Sequence, residues 1–299
     1  MNYKREGFAL SIVLWIVAVL LIGIAFIASL SKESLHVSYM LKDKLATQII
    51  AKNYLEAIKY YVMVSDNNGD RFICKNPILS LPKELLLNGH IYNLGEVTIS
   101  LQDLSGLIRP NMIPTIIDKN IHRELSFIVR DSIQDWLDKD DDTRLNGAES
   151  SYYNIKENFS YRPANIKMFQ SLDELKLVRG IKDIDSKTWQ YIEDRVTYKD
   201  GSINLMLIDA RYLSFLLHIT LAEAKELLKI RELNHNKFMY LVGNNKYFDD
   251  SYMDFGISKI INIYITVTKK EVQTKLYVTL YIEELDKTKL FYIDGYRIY

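Results

Sequence analysis

The chain has 299 residues, with 38 Lys or Arg and 38 Asp or Glu, so its formal net charge at pH 7 is zero. This balance argues against a nucleic-acid-binding protein, which usually carries an excess of basic residues. Cys74 is the only cysteine, which excludes an intramolecular disulfide and a Cys-x-x-Cys redox or zinc site. The length suffices for a membrane helix and one large or two small domains.

The first predicted element is an apolar segment, residues 8–30, which contains no charged residue. A helix of this length extends about 34 Å at about 1.5 Å per residue, enough to cross a hydrocarbon core of about 30 Å. Lys4 and Arg5 come just before it, so we expect a single transmembrane span with its N-terminus in the cytoplasm and the bulk of the chain across the membrane.

Three interpretations of this segment compete. A cleaved secretory signal is disfavoured, because its apolar region is usually about 7–15 residues long. A plain signal anchor fits the apolar run. The third is a leader similar to that of type IV prepilins, comprising residues 1–7, which ends at Gly7 and is cut before Phe8. In that case the apolar stretch stays on the mature protein.

The helical pattern continues through residues 31–64, which contain neither Pro nor Gly. Apolar residues recur here in two runs, first every four residues and then at spacings of three and four, the pattern of an amphipathic helix. They are Leu41, Leu45, Ile49, Leu55, Ile58 and Val62. We therefore predict one helix over residues 8–64, with a transmembrane half and an amphipathic half whose apolar face covers a sheet.

Residues 65–111 are predicted to form strands and loops. Val97, Ile99 and Leu101 alternate with polar residues, which indicates a strand with one buried face. The dipeptide Asn88-Gly89 is a signal for a hairpin turn.

Residues 112–248 carry helical patterns, notably over residues 121–137, 185–196 and 212–228. Ser171 followed by Glu174 is a capping-box signal for a helix start. Two helices joined near Gly180 resemble a helix-hairpin-helix, a motif that often binds DNA. This segment lacks a Gly-x-Gly turn and a basic cluster for phosphates, so we interpret it as a protein scaffold.

The pattern changes to strands in residues 249–299. Ile261, Ile263, Ile265 and Val267 alternate with polar residues, and residues 276–285 and 290–298 are similar. Turns are predicted at residues 269–271 and 286–288. The result is an antiparallel meander with one buried face, which we expect to pack against the N-terminal helix.

An acidic segment lies within the helical region. Asp138, Asp140, Asp142 and Glu149 occupy positions 1, 3, 5 and 12 of a twelve-residue loop, the carboxylate spacing of an EF-hand calcium loop. Position 6 is Thr143, where an EF-hand needs Gly. The sequence thus predicts calcium-type ligand spacing outside a true EF-hand; the alternative is a solvated acidic loop. Asp135 is a possible further ligand.

Several segments carry a resemblance to a known family. Residues 8–15, Phe-Ala-Leu-Ser-Ile-Val-Leu-Trp, resemble the mature start of general secretion pathway protein K, the K-type minor pseudopilin of type II secretion. Most pilin-like proteins carry Glu as the fifth mature residue; this chain has Ile12, and lack of that Glu is a feature of K-type subunits. Other segments match the family's order and spacing; they are residues 135–140, 147–149, 152–153, 163–165, 171–175 and 178–180.

The resemblance implies an α+β, type IV pilin-like fold: a long N-terminal helix on an antiparallel sheet, with a large inserted all-α, helix-hairpin-helix-like domain. It implies cleavage by prepilin peptidase after Gly7, methylation of Phe8, an inner-membrane anchor and a periplasmic body. The implied partners are the I-type and J-type minor pseudopilins and the major pseudopilin. Structural calcium in the acidic segment is also implied, because family members bind calcium there.

The implied function is a tip subunit that initiates or caps the type II secretion pseudopilus and supports export of folded proteins across the outer membrane. One alternative is a type IV pilus minor pilin, which would share the leader. Another is a membrane-anchored extracytoplasmic binding or signalling protein, which would keep Met1. An enzyme is least favoured, because the five histidines are scattered and no catalytic motif is present.

Overall fold

The computed structural model describes residues 3–118, 123–156, 168–198, 201–285 and 288–299. In chain order its helices are α1 (Tyr3–Val64), α2 (Ile113–Asp118), α3 (Arg123–Leu137), α4 (Ser150–Lys156), α5 (Leu172–Leu175), α6 (Ser186–Glu193), α7 (Ala210–Leu216), α8 (Leu221–Leu233) and α9 (His235–Gly243). Its strands are β1 (Asp66–Asn67), β2 (Arg71–Ile73), β3 (Glu84–Leu86), β4 (Asn88–Leu94), β5 (Val97–Asp103), β6 (Ile203–Asn204), β7 (Met253–Asp254), β8 (Ile260–Lys269), β9 (Val272–Leu285) and β10 (Thr288–Ile298).

The main sheet has five strands in the order β10-β9-β8-β5-β4, and each neighbouring pair is antiparallel. Its inner face is the predicted one: Ile99 and Leu101 of β5 lie opposite Ile265 and Ile263 of β8, and all four are buried. The strands β5 and β8 are neighbours although α2 to α9 lie between them in the chain. The helical region is therefore inserted between two adjacent strands.

The predicted turn at Asn88-Gly89 is wrong. Both residues belong to β4, where the register shifts between Asn88 and Ile91, and the hairpin turn comes later, at Gly95, with a φ of 75°. The positive φ of Gly89, 80°, lies within the register shift at the start of β4. The turn between β8 and β9 lies where it was predicted, with Lys270 in the left-handed region. The other predicted turn falls partly on residues 286–287, outside the described residues.

One side of α1 packs on the inner face of the sheet. The buried residues are Ala51, Leu55, Ala57, Ile58, Tyr61 and Val62. The tip of the β8–β9 hairpin contacts the same helix nearer its N-terminus, where the Asp43 carboxylate pairs with Lys269 at 3.4 Å and with Lys270 at 3.1 Å. The hydroxyls of Thr47 and Thr274 form a buried hydrogen bond of 2.8 Å. The helix is thus fixed to the sheet from Asp43 onward.

The expectation that Leu41, Leu45 and Ile49 cover the sheet is wrong. These side chains are 61%, 61% and 59% exposed. Leu41 precedes the hairpin tip, and Leu45 and Ile49 lie on another side of α1 from the buried residues. The apolar surface they form is continuous with the exposed, apolar part of α1 nearer the N-terminus, which is long and apolar enough to cross a membrane.

The helical region has a core of its own, in which Trp136, Tyr153, Phe169 and Phe238 are fully buried. Ser171 caps α5 as predicted, since its hydroxyl accepts a hydrogen bond from the Glu174 amide at 3.2 Å. The single helix expected over residues 212–228 is wrong: it is divided into α7 and α8. The α+β class with a long helix on an antiparallel sheet and an added helical region is confirmed, whereas the exact domain limits stay predictions.

Candidate metal centre

The candidate site lies where α3 ends and α4 begins. The amide of Asp138 donates to the carbonyl of Gln134 at 3.0 Å, so the helical turn continues one residue beyond α3. Asp135 and Asp138 are therefore three residues apart on one helical side. Glu149 precedes the first residue of α4, and the loop over residues 139–148 brings it back to α3.

Three carboxylates converge there. One carboxylate oxygen from each of Asp135, Asp138 and Glu149 lies within 4.8 Å of the other two. Among the described residues, this is the cluster of acidic, His or Cys side chains whose spacing suits a metal ion. Asp135 is fully buried and Glu149 is only 2% exposed. Buried carboxylates this close repel one another strongly unless a cation compensates their charge.

Arg144 compensates part of this charge. Its Nη1 donates to Asp135 Oδ1 at 2.6 Å and also to Asp138 Oδ2, and its backbone amide donates to Asp135 Oδ2 at 3.2 Å. In contrast, both carboxylate oxygens of Glu149 and Oδ1 of Asp138 are buried without a hydrogen-bond partner among the described residues. Such unsatisfied carboxylate oxygens are rare in folded proteins, and they fit a cation with oxygen ligands.

The electrostatics of Glu149 agree with this geometry. Burial raises the pKa of the Glu149 carboxyl to about 7, and the negative charges of Asp135 and Asp138 act in the same direction. The charged form is thus disfavoured in the site as it stands. A bound cation would favour the charged form.

Besides Arg144, Asp131 and Gly147 hold the loop against α3. Asp131 Oδ2 accepts hydrogen bonds from the backbone amide of Asn146 at 3.2 Å and from its side chain at 3.0 Å. Gly147 lies directly against Asp135: a Cβ at this glycine would be 1.8 Å from Asp135 Oδ2. Only glycine allows this close approach.

Of the four ligands predicted from spacing, the structure brings Asp138 and Glu149 together and leaves Asp140 and Asp142 exposed outside the cluster. Asp140 Oδ1 instead accepts a hydrogen bond from the Asp142 amide at 3.0 Å, a local turn contact. Asp135, the possible further ligand, takes part in the cluster. The sequence signal for it was its spacing of three from Asp138 at a helix end.

The other sequence-predicted sites lie on α1. Gly7, Phe8 and Ile12 all belong to this helix, and the Ile12 side chain is exposed. Of the histidines, His122 lies outside the described residues. The rings of His218 and Tyr247 pack with their centres 4.3 Å apart, and His218 does not belong to the carboxylate cluster.

Residues 119–197 match the protein family described as Type II secretion system (T2SS), protein K. This segment contains the whole candidate site and the turn at Gly180. The resemblance drawn from the sequence is thus supported by an independent comparison. No curated protein sequence matches the chain.

Among solved structures, the chain is similar to a chain of "The Crystal Structure of the GspK-GspI-GspJ complex from enterotoxigenic Escherichia coli Type 2 Secretion System". The TM-score is 0.57, with 14% sequence identity over 90% of this chain and 98% of the other. At this level of identity the match shows a shared fold, and its extent spans both the sheet with its long helix and the inserted helical region.

Proposed function

We propose that this chain is a K-type minor pseudopilin of a type II secretion system. The observation that carries the proposal is the joint match: residues 119–197 match protein K of that system, and 90% of the chain shares the fold of a solved chain from such a system. The exposed apolar part of α1 supports anchoring in the inner membrane, with the body in the periplasm.

The proposed place of this subunit is the tip of the pseudopilus, where it begins or caps the fibre and supports export of folded proteins across the outer membrane. Pilins normally use a carboxylate at the fifth mature position to pair with the N-terminal amine of a neighbour during assembly. Ile12 cannot form this pair. The solved relative belongs to a complex with GspI and GspJ, which supports I-type and J-type minor pseudopilins as partners here; the major pseudopilin would lie below.

Processing of the leader gives a direct test. Coexpressed with prepilin peptidase, the chain should lose residues 1–7 and start at a methylated Phe8, and Gly7→Ala should leave it uncut. N-terminal sequencing of the purified protein measures both. Gly23→Ala, at a position of α1 where a Cβ meets nothing within 4 Å, is the matched control and should be cut normally. A wild-type chain that retains Met1 would instead favour a plain membrane-anchored protein.

As part of the same proposal, Asp135, Asp138 and Glu149 hold a structural calcium ion. Calcium takes six to eight oxygen ligands from carboxylates, carbonyls and water, and the unpartnered oxygens of Asp138 and Glu149 supply this chemistry. The ion would neutralise the carboxylates and tie the end of α3 to the start of α4. Its role would be to stabilise the inserted helical region.

Calcium should raise the melting temperature of the full-length protein in detergent. At free calcium about 100-fold above the Kd the gain is about 2.7 kcal/mol. The double variant Asp138→Ala with Glu149→Ala should lose this response, and Asp140→Ala with Asp142→Ala should keep most of it, because these two side chains lie outside the cluster. Differential scanning fluorimetry with and without calcium checks the prediction. Equal responses from both double variants would contradict the assignment of the cluster.

A further inference from the structure

The segment Val178-Arg179-Gly180, singled out by its match in the sequence, forms the turn between α5 and a 3₁₀-helix over Ile181–Asp183. Val178 is buried in the helical core. Gly180 has a φ of 84°, and a Cβ there would lie 2.9 Å from Val129 Cγ2 and 3.0 Å from Ile128 Cγ2. The turn is therefore pressed against α3, the helix that carries Asp135 and leads into Asp138.

Arg179 extends from this turn to the acidic loop. Its Nη1 donates to the carbonyl of Gly147 at 2.8 Å and, more weakly, to that of Asn146 at 3.4 Å. Its guanidinium carbon lies 4.8 Å from the centre of the Tyr152 ring, and its backbone amide donates to the Tyr153 hydroxyl at 3.1 Å. These contacts lie on both sides of Glu149 in the chain.

The opposite side of the loop is held by α3. Asp131 accepts from Asn146, and Asp135 accepts from the backbone of Arg144. The loop backbone is thus fixed between α3 and Arg179, and Glu149 follows two residues after the Gly147 carbonyl that Arg179 binds. Charged hydrogen bonds from a planar guanidinium constrain direction as well as distance.

We infer that Arg179 is a positioning residue for the acidic cluster. It holds the loop backbone so that the Glu149 carboxylate faces Asp135 and Asp138, without touching the proposed ion itself. Each residue of the segment then has its own part, since Val178 anchors the turn in the core, Gly180 lets it approach α3, and Arg179 reaches across to the loop. The inference rests on the proposed calcium site, and its backbone component can be tested without calcium.

The test uses full-length protein in detergent. Arg179→Met keeps an unbranched apolar stem but is shorter than Arg and removes every side-chain donor. Arg179→Lys keeps the positive charge with fewer donors. We expect Arg179→Met to raise the calcium Kd about 10-fold, the lower end of the effect of losing an outer-shell partner, and Arg179→Lys to recover part of it. In calcium-free protein, amide hydrogen exchange over residues 139–149 should be faster in Arg179→Met.

Arg195→Met is the matched control. Arg195 stacks on a Tyr ring and binds a backbone carbonyl elsewhere: its guanidinium lies 4.8 Å from the Tyr191 ring centre and it donates to the Tyr191 carbonyl at 3.4 Å. It also pairs with Asp209 at 3.2 Å, a contact that Arg179 lacks among the described residues. This variant should leave the calcium Kd and exchange of residues 139–149 unchanged, even if its melting temperature falls.

The two readouts separate the possible failures. Unchanged exchange over residues 139–149 in Arg179→Met overturns the inference, whether or not calcium binds. If the wild-type chain binds no calcium, the metal assignment fails, and faster exchange in Arg179→Met still supports the positioning role. If Arg179→Met does not fold, Arg179→Lys decides: wild-type calcium Kd and wild-type exchange in that variant overturn the inference, and intermediate values of both support it.

Discussion

Without calcium, the wild-type protein should lose up to about 3 kcal/mol of stability through Glu149 as the pH rises from about 4.5 to 8. The pKa of this carboxyl is about 7 in the folded protein, against an ordinary value of 4.5. Between these values the folded state binds more protons than the unfolded state, so raising the pH favours unfolding. The contribution of Glu149 is full below pH 4.5 and is lost as the pH rises through 7.

Glu149→Gln should remove this dependence, because the amide imitates the protonated carboxyl. Above pH 7 and without calcium, the variant should be more stable than the wild type, and it should lose most of the calcium response. Thermal melts across this pH range, each with calcium and with chelator, give the difference between the two proteins. Titrating groups that do not interact with Glu149 cancel in that difference.

Asp141→Asn serves as the control for Glu149→Gln, since it removes one negative charge from an exposed residue of the same loop. It should leave most of the pH dependence and of the calcium response in place. A Glu149→Gln variant that is less stable than the wild type at pH 8 without calcium would show that the carboxylate has a compensating partner in solution.

Gly147→Ala should destabilise the protein by about 3 kcal/mol, at the upper end of the cost of inserting a methyl group into a packed site. The new Cβ would lie 1.8 Å from Asp135 Oδ2, so the loop must move away from α3. That movement also takes Glu149 from the cluster, and calcium should no longer raise the melting temperature. Scanning fluorimetry with and without calcium measures both effects.

Gly243→Ala is the control for Gly147→Ala. Gly243 is the last residue of α9, and a Cβ there meets nothing within 4 Å. Alanine at this position should change stability by less than about 1 kcal/mol, in the stabilising direction. If Gly147→Ala keeps both its melting temperature and its calcium response, the loop does not lie against Asp135 in solution.

The sequence predicted the long helix well because its signals are local. The absence of Pro and Gly over residues 31–64 predicts an unbroken helix to Val64, where α1 ends, although α1 begins at Tyr3 and not at Phe8. The covered face was harder to predict. Ile49 and Leu55 are six residues apart, which at about 100° per residue turns the apolar stripe about 240° around the helix. Two stripes on different sides therefore resemble one stripe in the sequence, and only the second covers the sheet.

The helical region shows a second limit. The periodicity of residues 212–228 hides a break at His218, whose φ is 51°. The signal was present in the sequence: Thr220 and Glu223 form a complete capping box at the start of α8. Helical periodicity alone cannot distinguish one helix from two that bury the same core, whereas a Thr-x-x-Glu pattern indicates a new start.

For the candidate site, spacing along the chain indicated oxygen-ligand chemistry and part of the residue set that converges. Asp138 and Glu149 belong to the cluster because a helix end and a helix start bring them together. The EF-hand spacing requires a glycine turn at position 6, and with Thr143 there Asp140 and Asp142 do not turn inward. Which acids converge depends on α3 continuing to Asp138 and on the approach of Gly147, both of which arise from tertiary packing.

The ion pairs between Asp43 and the tip of the β8–β9 hairpin mark where the unpacked part of α1 ends and the folded domain begins. From Leu30, the end of the apolar run, to Asp43, the helix advances about 20 Å at about 1.5 Å per residue. With the apolar run immersed in a bilayer, the body would stand clear of the lipid headgroups on a stiff stalk. Leu35 and Leu41 on this part of α1 are both largely exposed to solvent. They offer an apolar surface on which a neighbouring helix can pack without contact between the two folded domains.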